Sequence, residues 1–281
     1  MNHLRLSFIG TGNMASAIIQ GLLRAGYPTT HLRGTTAHPE SAQAAAHNLG
    51  IMVDTHNANA IAEADIVVLG VKPQMMASLC RSIAPHIQAR QPIIISLAAG
   101  LSAATLCQWL GDEHLSLMRC MPNTPVQLGA GVSGFYAPAQ VSAAQQQQVD
   151  TLFSQLGVTQ WVQHESELHT ITAIAGSAPA YFYRFTEALI TAGQHLGLTQ
   201  QTAQSLVIQV ALGAARMMRE NDQESPAQLR QRVSSPGGTT VEALAVMTDL
   251  DDLMTQAVQA CHARSVELSN ALSKAPNDQQ E

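Results

Sequence analysis

The chain has 281 residues, of which 46% are hydrophobic and 12% are charged, and its formal net charge is −6 at pH 7. A chain of this length can bury a substantial core and is long enough for two domains. Proteins that bind the phosphate backbone in general carry a basic surface that replaces counterions, so the negative charge predicts no nucleic-acid partner.

No apolar run reaches the roughly 18 residues that a membrane span requires, and the first ten residues lack the pattern of a signal peptide. We therefore expect a soluble, cytoplasmic protein with no membrane partner. Four cysteines, Cys80, Cys107, Cys120 and Cys261, stand far apart without the C-x-x-C spacing of zinc or redox sites. We expect buried, reduced thiols and no metal site.

The first half of the chain alternates short apolar runs with helical stretches. LRLSFIG precedes a helix that begins near Met14, ADIVVLGV precedes a helix around Ala77, and PIIISLAAG precedes SAATLCQWL. Further strands are predicted at LSLMRC, GVSGFYA and VTQWV. Strands that alternate with helices predict an α/β fold, with a doubly wound parallel sheet and crossover helices, over residues 1–164.

From about Glu165 the pattern changes to apolar residues at three- and four-residue spacing, which predicts a helical domain over residues 165–272. Its helices are apolar on more than one face, and such helices must be buried. About a hundred residues cannot bury several of them alone, so we expect a homo-oligomer through this domain. The polar tail at 273–281 is expected to be disordered.

The opening strand runs directly into Gly10-Thr11-Gly12-Asn13-Met14-Ala15, a G-x-G-x-x-A turn at the start of a helix. Its glycines permit a tight turn and a close approach of the backbone to a pyrophosphate, and the small third residue permits close packing of helix on sheet. The position after a strand predicts a Rossmann-type dinucleotide site. A tight turn without a ligand is the alternative.

The end of the second strand indicates which dinucleotide is used. NAD enzymes usually offer a carboxylate to the ribose here, whereas this chain offers Thr35 and Thr36 after Arg33. Without a carboxylate to repel a 2′-phosphate, NADPH is favoured and NADH remains possible. Both threonines could instead be ordinary turn residues.

The lysines of this chain are Lys72, in the first half, and Lys274, in the polar tail. A ketone reductase of related two-domain architecture would need a proton donor such as a lysine in its helical domain. An imine, once protonated, accepts a hydride at carbon directly, so the protein mainly has to position its substrate. The composition of the chain therefore favours an imine.

The segment SSPGGTT, residues 234–240, interrupts the helical half and leads into VEALAVM, a predicted helix with a capping box between Thr239 and Glu242. Free N–H groups, glycines and hydroxyls at one point are typical of a site for a small anion such as a carboxylate. A capped turn between helices, with no ligand, is the alternative.

Six motifs together resemble pyrroline-5-carboxylate reductase: FIGTGNMASAII, GVKPQ, RCMPNTP, AGSAPAYFY, LGAARMM and VSSPGGTTVEAL. The resemblance extends to about Leu268. It implies NAD(P)H-dependent reduction of 1-pyrroline-5-carboxylate to L-proline, and dimers that interlock through the helical domain. Dimer or decamer, the size of the NADPH preference, the proton donor and feedback by proline remain open.

The resemblance also implies the site residues. The candidate cofactor-binding residues are Gly10, Gly12, Asn13, Met14, Ala15, Thr35, Thr36, Asn57, Val71, Lys72, Pro73, Ala98, Ala99, Gly100, Met121, Asn123 and Thr124. Residues through 73 in this set belong to the pyrophosphate and adenosine side, and those from 98 onward belong to the nicotinamide side. Lys72 could instead be a solvated turn residue and Asn123 a turn cap.

By the same resemblance, SSPGGTT covers the nicotinamide, and the amides of Ser235, Gly238, Thr239 and Thr240 hold the substrate carboxylate. The Thr240 hydroxyl is the candidate catalytic group, as a donor to the ring nitrogen. Where many relatives read G-S-G-P-A-Y, this chain has Ala178 in place of the second glycine of that motif, which leaves the fine shape of the pocket open.

Two rival hypotheses remain at this point. Another imine or keto-acid reductase of the same architecture would turn over a six-membered ring or an opened substrate. A non-catalytic NADP-binding sensor would bind the cofactor and reduce no imine. Relative turnover of five- and six-membered cyclic imines separates these possibilities.

Overall fold

A computed structural model describes residues 3–274. The chain divides into two compact units: the first runs through Ser177 and resumes at Ala260, and the second is Ala178–Gln259. Within the described part of the chain, no helix has the length and apolar character that crossing a membrane requires.

The first unit contains one mixed sheet of eight strands. The strands are β1 (Leu6–Ile9), β2 (Leu32–Thr35), β3 (Met52–Asp54), β4 (Ile66–Leu69), β5 (Ile93–Ser96), β6 (Leu117–Pro122), β7 (Gly131–Tyr136) and β8 (Gly157–Val162). They lie side by side in the order β3-β2-β1-β4-β5-β6-β7-β8. Every neighbouring pair is parallel except β6 and β7, which are antiparallel.

Helices connect these strands as the sequence predicts. They are α1 (Asn13–Arg24), α2 (Pro39–Leu49), α3 (Asn57–Ala62), α4 (Pro73–Arg90), α5 (Ala103–Leu110) and α6 (Ala143–Phe153), and a further helix, α7 (Glu167–Ile171), follows the last strand. The chain builds outward from β1 to β3 and then returns to the other side of β1 with β4, so that Leu6 of β1 pairs with Leu32 and with Ile66. The doubly wound α/β half is confirmed, with a topological switch between β1 and β4.

The sheet is buried on both faces because successive side chains of a strand point to opposite sides. Phe8 and Val68 belong to the core on one face, where Phe135 stacks on Trp161 with ring centroids 4.9 Å apart. Ile9 and Val67 belong to the core on the other face. This rigid double-faced core fixes the strand ends that carry the candidate site.

The contacts of the chain divide it at Ser177, later than the predicted boundary between residues 164 and 165. The reason is that α7 and the π-helical turn Thr172–Gly176 pack on the sheet, where Leu168 and Ala173 are buried. The last helix, α12 (Leu250–Lys274), returns to the first unit from Ala260 onward. Of the predicted tail, residues 273 and 274 end α12, and residues 275–281 lie outside the described residues.

The second unit is helical, as predicted. It contains α8 (Ala178–His195), α9 (Gln200–Glu220), α10 (Pro226–Arg232), α11 (Thr239–Ala245) and the start of α12. The described helix α8 has no buried residue, and α9 buries only Ala203. Large apolar side chains such as Phe182 and Val210, which are 69% and 63% exposed, therefore lack a core within this unit. Apolar surface of this extent marks a contact with another protein surface.

Candidate active site

The candidate cofactor residues of the first unit lie where neighbouring parallel strands end. Gly10 follows β1, Thr35 ends β2, Val71 to Pro73 follow β4, Ala98 to Gly100 follow β5, and Met121 and Asn123 lie at the end of β6. Because the carboxyl ends of parallel strands meet at one edge, the fold brings these residues to the same edge, on both sides of the switch between β1 and β4.

The turn between β1 and α1 has the geometry of a phosphate cradle. Gly10 has φ of +92°, and a Cβ there would lie 2.7 Å from Cγ1 of Val71. The N–H groups of Gly10 and Thr11 both donate to the Thr35 carbonyl, at 3.1 and 3.0 Å. Gly12 is the exposed N-cap of α1, and no side chain caps this helix. The first N–H groups of α1 therefore point to open space where an anion can bind.

Two further glycines shape this cradle, and the motif analysis missed them. A Cβ on Gly70, directly after β4, would lie 2.5 Å from the Gly10 carbonyl oxygen. A Cβ on Gly34, in β2, would lie 2.5 Å from Cγ2 of Thr11. A glycine directly after the buried apolar run of β4 is the signal that could have identified Gly70, whereas Gly34 lies within β2 and no such signal marks it.

The end of β2 carries the predicted pair of hydroxyls in two different environments. Thr35 is 1% exposed, and its hydroxyl donates to Oδ1 of Asn57 at 2.7 Å. Thr36 is partly exposed, and its hydroxyl donates to the His38 carbonyl at 3.0 Å. Arg33 donates to the Asn59 carbonyl at 2.9 Å. Thr36 is therefore the more accessible hydroxyl, while Thr35 positions Asn57.

The residues expected on the nicotinamide side include both exposed and structural residues. Ala99 is exposed between the buried Ala98 and Gly100. Asn123 is 6% exposed, its Nδ2 donates to the Ala175 carbonyl at 3.1 Å, and its Oδ1 accepts from the Val132 N–H at 2.9 Å. Its carboxamide thus braces the end of β6, but it does not cap the turn that follows, which was the structural alternative for this residue.

Acid–base groups are scarce where β1, β4, β5 and β6 end. Burial raises the pKa of the Cys120 thiol well above its ordinary value, so this thiol stays protonated at neutral pH. Lys72 is exposed at the N-cap of α4. Across residues 3–274, no three His, Cys, Asp or Glu side chains come together in a way that could hold a metal ion. The edge therefore offers backbone, hydroxyls and shape rather than strong acids.

In the second unit, the SSPGGTT segment forms a compact loop between α10 and α11. The Ser234 hydroxyl donates to the Arg230 carbonyl at 2.7 Å, and the Gly238 N–H donates to the Ser235 carbonyl at 2.9 Å. Gly237 has φ of +70°. Thr240 is partly exposed and Thr239 is exposed. The Gly238 amide, one of the predicted carboxylate ligands, thus closes the turn of the loop.

The predicted capping box between Thr239 and Glu242 is wrong. The N-cap of α11 is Gly238, with φ −83° and ψ 162°, and no side chain caps the helix. Helix α11 begins one residue earlier than the box requires because Gly238 already takes the extended N-cap conformation, so Thr239 is the first helical residue. The Thr239 hydroxyl is consequently not used as a cap.

Two family models match different parts of the chain. Residues 165–268 match the family model described as pyrroline-5-carboxylate reductase dimerisation, and residues 5–100 match the one described as NADP oxidoreductase, coenzyme F420-dependent. A pyrroline-5-carboxylate reductase from Pseudomonas aeruginosa is 43% identical over 276 residues, which cover 98% of this chain and 100% of that protein.

Solved structures agree with this match. A pyrroline-5-carboxylate reductase from Coxiella burnetii superposes with a TM-score of 0.88 at 36% identity, over 95% of this chain and 99% of that one. The Plasmodium falciparum pyrroline carboxylate reductase with NADP bound has a TM-score of 0.84 at 27% identity, over 96% and 99% of the two chains. The chain belongs to the pyrroline-5-carboxylate reductase family.

Proposed function

We propose that this protein reduces 1-pyrroline-5-carboxylate to L-proline with NADPH. The observation that carries the proposal is the similarity to a pyrroline-5-carboxylate reductase along 98% of the chain, which includes both the dinucleotide edge and the SSPGGTT loop. The NADP bound to the Plasmodium falciparum relative supports the choice of nucleotide.

The residues at the sheet edge fit a dinucleotide. The first turn of α1 offers its N–H groups to the pyrophosphate, and Gly10 and Gly70 let the turn after β1 pack closely against the end of β4. At the end of β2, Thr36 presents a hydroxyl and no carboxylate, which favours a 2′-phosphate over a bare ribose. These features support NADPH as the preferred donor.

NADPH, when bound, supplies a hydride to the C=N carbon of the cyclic imine. The protonated ring nitrogen takes up the electron pair of the C=N π bond and becomes the amine of proline, so this step releases no proton. The protein must therefore bind and orient a substrate that is protonated before or during the transfer. The scarcity of acid–base groups at the ends of β1, β4, β5 and β6 is consistent with this requirement.

The SSPGGTT loop is the proposed site for the substrate carboxylate. The amides of Ser235, Thr239 and Thr240 are its donors, while the Gly238 amide shapes the turn by donating to the Ser235 carbonyl. The uncapped start of α11 supports an anion here, because the first N–H groups of a helix have no intrahelical acceptor. The Thr240 hydroxyl orients the ring nitrogen.

We also infer that the helical unit pairs with a second copy of the chain. The large exposed apolar side chains of α8 and α9 support this, as does the match of residues 165–268 to a dimerisation family. Light scattering of the purified protein tests this inference, and a monomer at micromolar concentration would contradict it.

The experiment that tests the proposed function follows NADPH oxidation with pyrroline-5-carboxylate and with its six-membered homologue. We expect rapid turnover of the five-membered ring and proline as the product. Faster turnover of the six-membered ring would indicate a different imine reductase. Tight binding of NADPH without reduction of either ring would favour the sensor hypothesis.

Thr240→Ala and Thr240→Ser test the role of the loop hydroxyl. We expect Thr240→Ala to lower kcat by about a hundredfold to a thousandfold, the range for one lost donor to the reacting group, and to leave the Kd of NADPH unchanged. Thr240→Ser keeps the hydroxyl and should recover most of the activity. Equal kcat values in all three proteins would rule out a role for this hydroxyl in turnover.

A further inference from the structure

Glu165 lies in the turn between β8 and α7, far in sequence from the candidate cofactor residues, and no motif pointed to it. One of its carboxylate oxygens, Oε1, accepts two hydrogen bonds. The Ala103 N–H donates to it at 2.7 Å, and Nη1 of Arg119 donates to it at 3.2 Å. A single oxygen thus joins the start of α5 to strand β6.

Arg119 makes this carboxylate difficult to replace. The Arg119 side chain is 6% exposed, and its Nε has no hydrogen-bond partner among residues 3–274. Burial lowers the pKa of the Arg119 guanidinium, and the charge of Glu165 and its hydrogen bond oppose that shift. A buried cation is costly without its partner, so Arg119 holds the Glu165 carboxylate in place.

Ala103 is the first residue of α5, three residues after Gly100. A carboxylate at this end of a helix is stabilised by the N–H groups and by the helix dipole. The turn from Ala98 to Gly100 follows strand β5. Ser96, the last residue of β5, pairs with Arg119 of β6 in the sheet register. The turn is therefore held at its start by the pairing of β5 with β6, and at its end by the hydrogen bond from Ala103 to Glu165.

We propose that Glu165 is a positioning residue for the nicotinamide half of the cofactor, acting through Ala103 on the turn that carries the exposed Ala99. This inference rests on the proposed function, because it assigns that turn to the nicotinamide. The adenosine half lies by the same proposal at the ends of β1 and β2, which Glu165 does not contact. Loss of Glu165 should therefore weaken one half of the dinucleotide site and spare the other.

The test compares two ligands, NADPH and adenosine 2′,5′-bisphosphate, which resembles the adenosine half alone. For Glu165→Ala we expect the Kd of NADPH to rise by about tenfold, which is the order of effect that a displacement of less than 1 Å produces. The Kd of adenosine 2′,5′-bisphosphate should stay within about twofold of the wild-type value. An equal rise in the Kd of both ligands would overturn the proposal.

A double variant separates positioning from stability. Arg119→Met together with Glu165→Ala removes the uncompensated cation, so the Tm should recover toward the wild-type value. The Kd of NADPH should stay raised, because the Ala103 N–H still lacks its acceptor. A Kd that recovers with the Tm would show that Glu165 acts only through stability, and would overturn the proposal. The double variant also keeps the test possible if Glu165→Ala alone does not fold.

Ser142→Ala is the matched control for lost helix capping. Ser142 caps α6, where its hydroxyl oxygen accepts from the Gln145 N–H at 3.3 Å, and it has no link to the turn at Ala99. It should lower the Tm and leave both Kd values unchanged. Failure of the proposed function would be recognised separately, since wild-type protein would then not reduce the imine.

Discussion

Gly70→Ala is the sharpest test of the phosphate cradle. The added Cβ would lie 2.5 Å from the Gly10 carbonyl oxygen and 3.2 Å from Cβ of Ala15. Ordinary van der Waals contact begins at 3.4 Å, so the loop after β1 must move by about 0.9 Å relative to β4. The neighbouring atoms are backbone of the loop and a buried alanine, which cannot swing away as a flexible side chain would.

The displaced loop carries the N–H groups that we assign to the pyrophosphate. A displacement close to 1 Å at a preorganised site lowers its effectiveness by up to about a hundredfold. We therefore expect the Kd of NADPH to rise between about tenfold and a hundredfold, which corresponds to about 1.4 to 2.8 kcal/mol. Overpacking should also cost about 1 to 3 kcal/mol of stability.

Titration of NADPH fluorescence gives the Kd, and thermal unfolding gives the stability. Gly26→Ala is the matched control, because Gly26 has φ of +88° with no atom within 4 Å of an added Cβ. It should lower the Tm through backbone strain and leave the Kd unchanged. A folded Gly70→Ala protein that binds NADPH within twofold of wild type would refute the assignment of this turn to the pyrophosphate.

Three further predictions concern charge, pH and thiols. Thr36→Glu should lower the affinity for NADPH by about tenfold more than the affinity for NADH, because the new carboxylate repels the 2′-phosphate. Thr36→Gln is the uncharged control. An equal loss of affinity for both cofactors would contradict the assignment of Thr36 to the 2′-phosphate. Burial, then the charges of Arg119 and His262, lower the pKa of His169, although Glu165 opposes this. The unfolded chain therefore binds more protons at this site as the pH falls below about 6.5, and the free energy of unfolding should decrease there. His169→Gln should flatten that decrease in denaturant titrations, whereas the exposed His164→Gln should not; identical pH profiles would count against the shift. Burial raises the pKa of Cys80 to about 12 and that of Cys107 to about 11. A thiol reagent should label at most one cysteine in the native protein and all four after unfolding, and rapid native labelling of two or more would be inconsistent with the burial of Cys80, Cys107 and Cys120.

Local pattern by itself determined much of this protein. Strand and helix periodicity in the first half predicted the doubly wound sheet, because side-chain alternation depends on neighbours along the chain. The sequence from Gly10 to Ala15 predicted a glycine turn that leads into a helix for the same reason, since its strand, glycines and helix are consecutive. The apolar character of α8 and α9 predicted a helical unit with unburied apolar surface.

Features that depend on residues distant in sequence were decided only by the tertiary structure. Gly70 meets Gly10 across the sheet, and Glu165 meets Arg119 across 46 positions, so neither pairing leaves a periodic signal. The same reason explains the boundary of the first unit, since Leu168 is buried on the sheet and α12 rejoins it from Ala260 onward. The sequence thus determined which elements form, while long-range packing decided how the strand ends, the turn at Ala99 and their supports are held together.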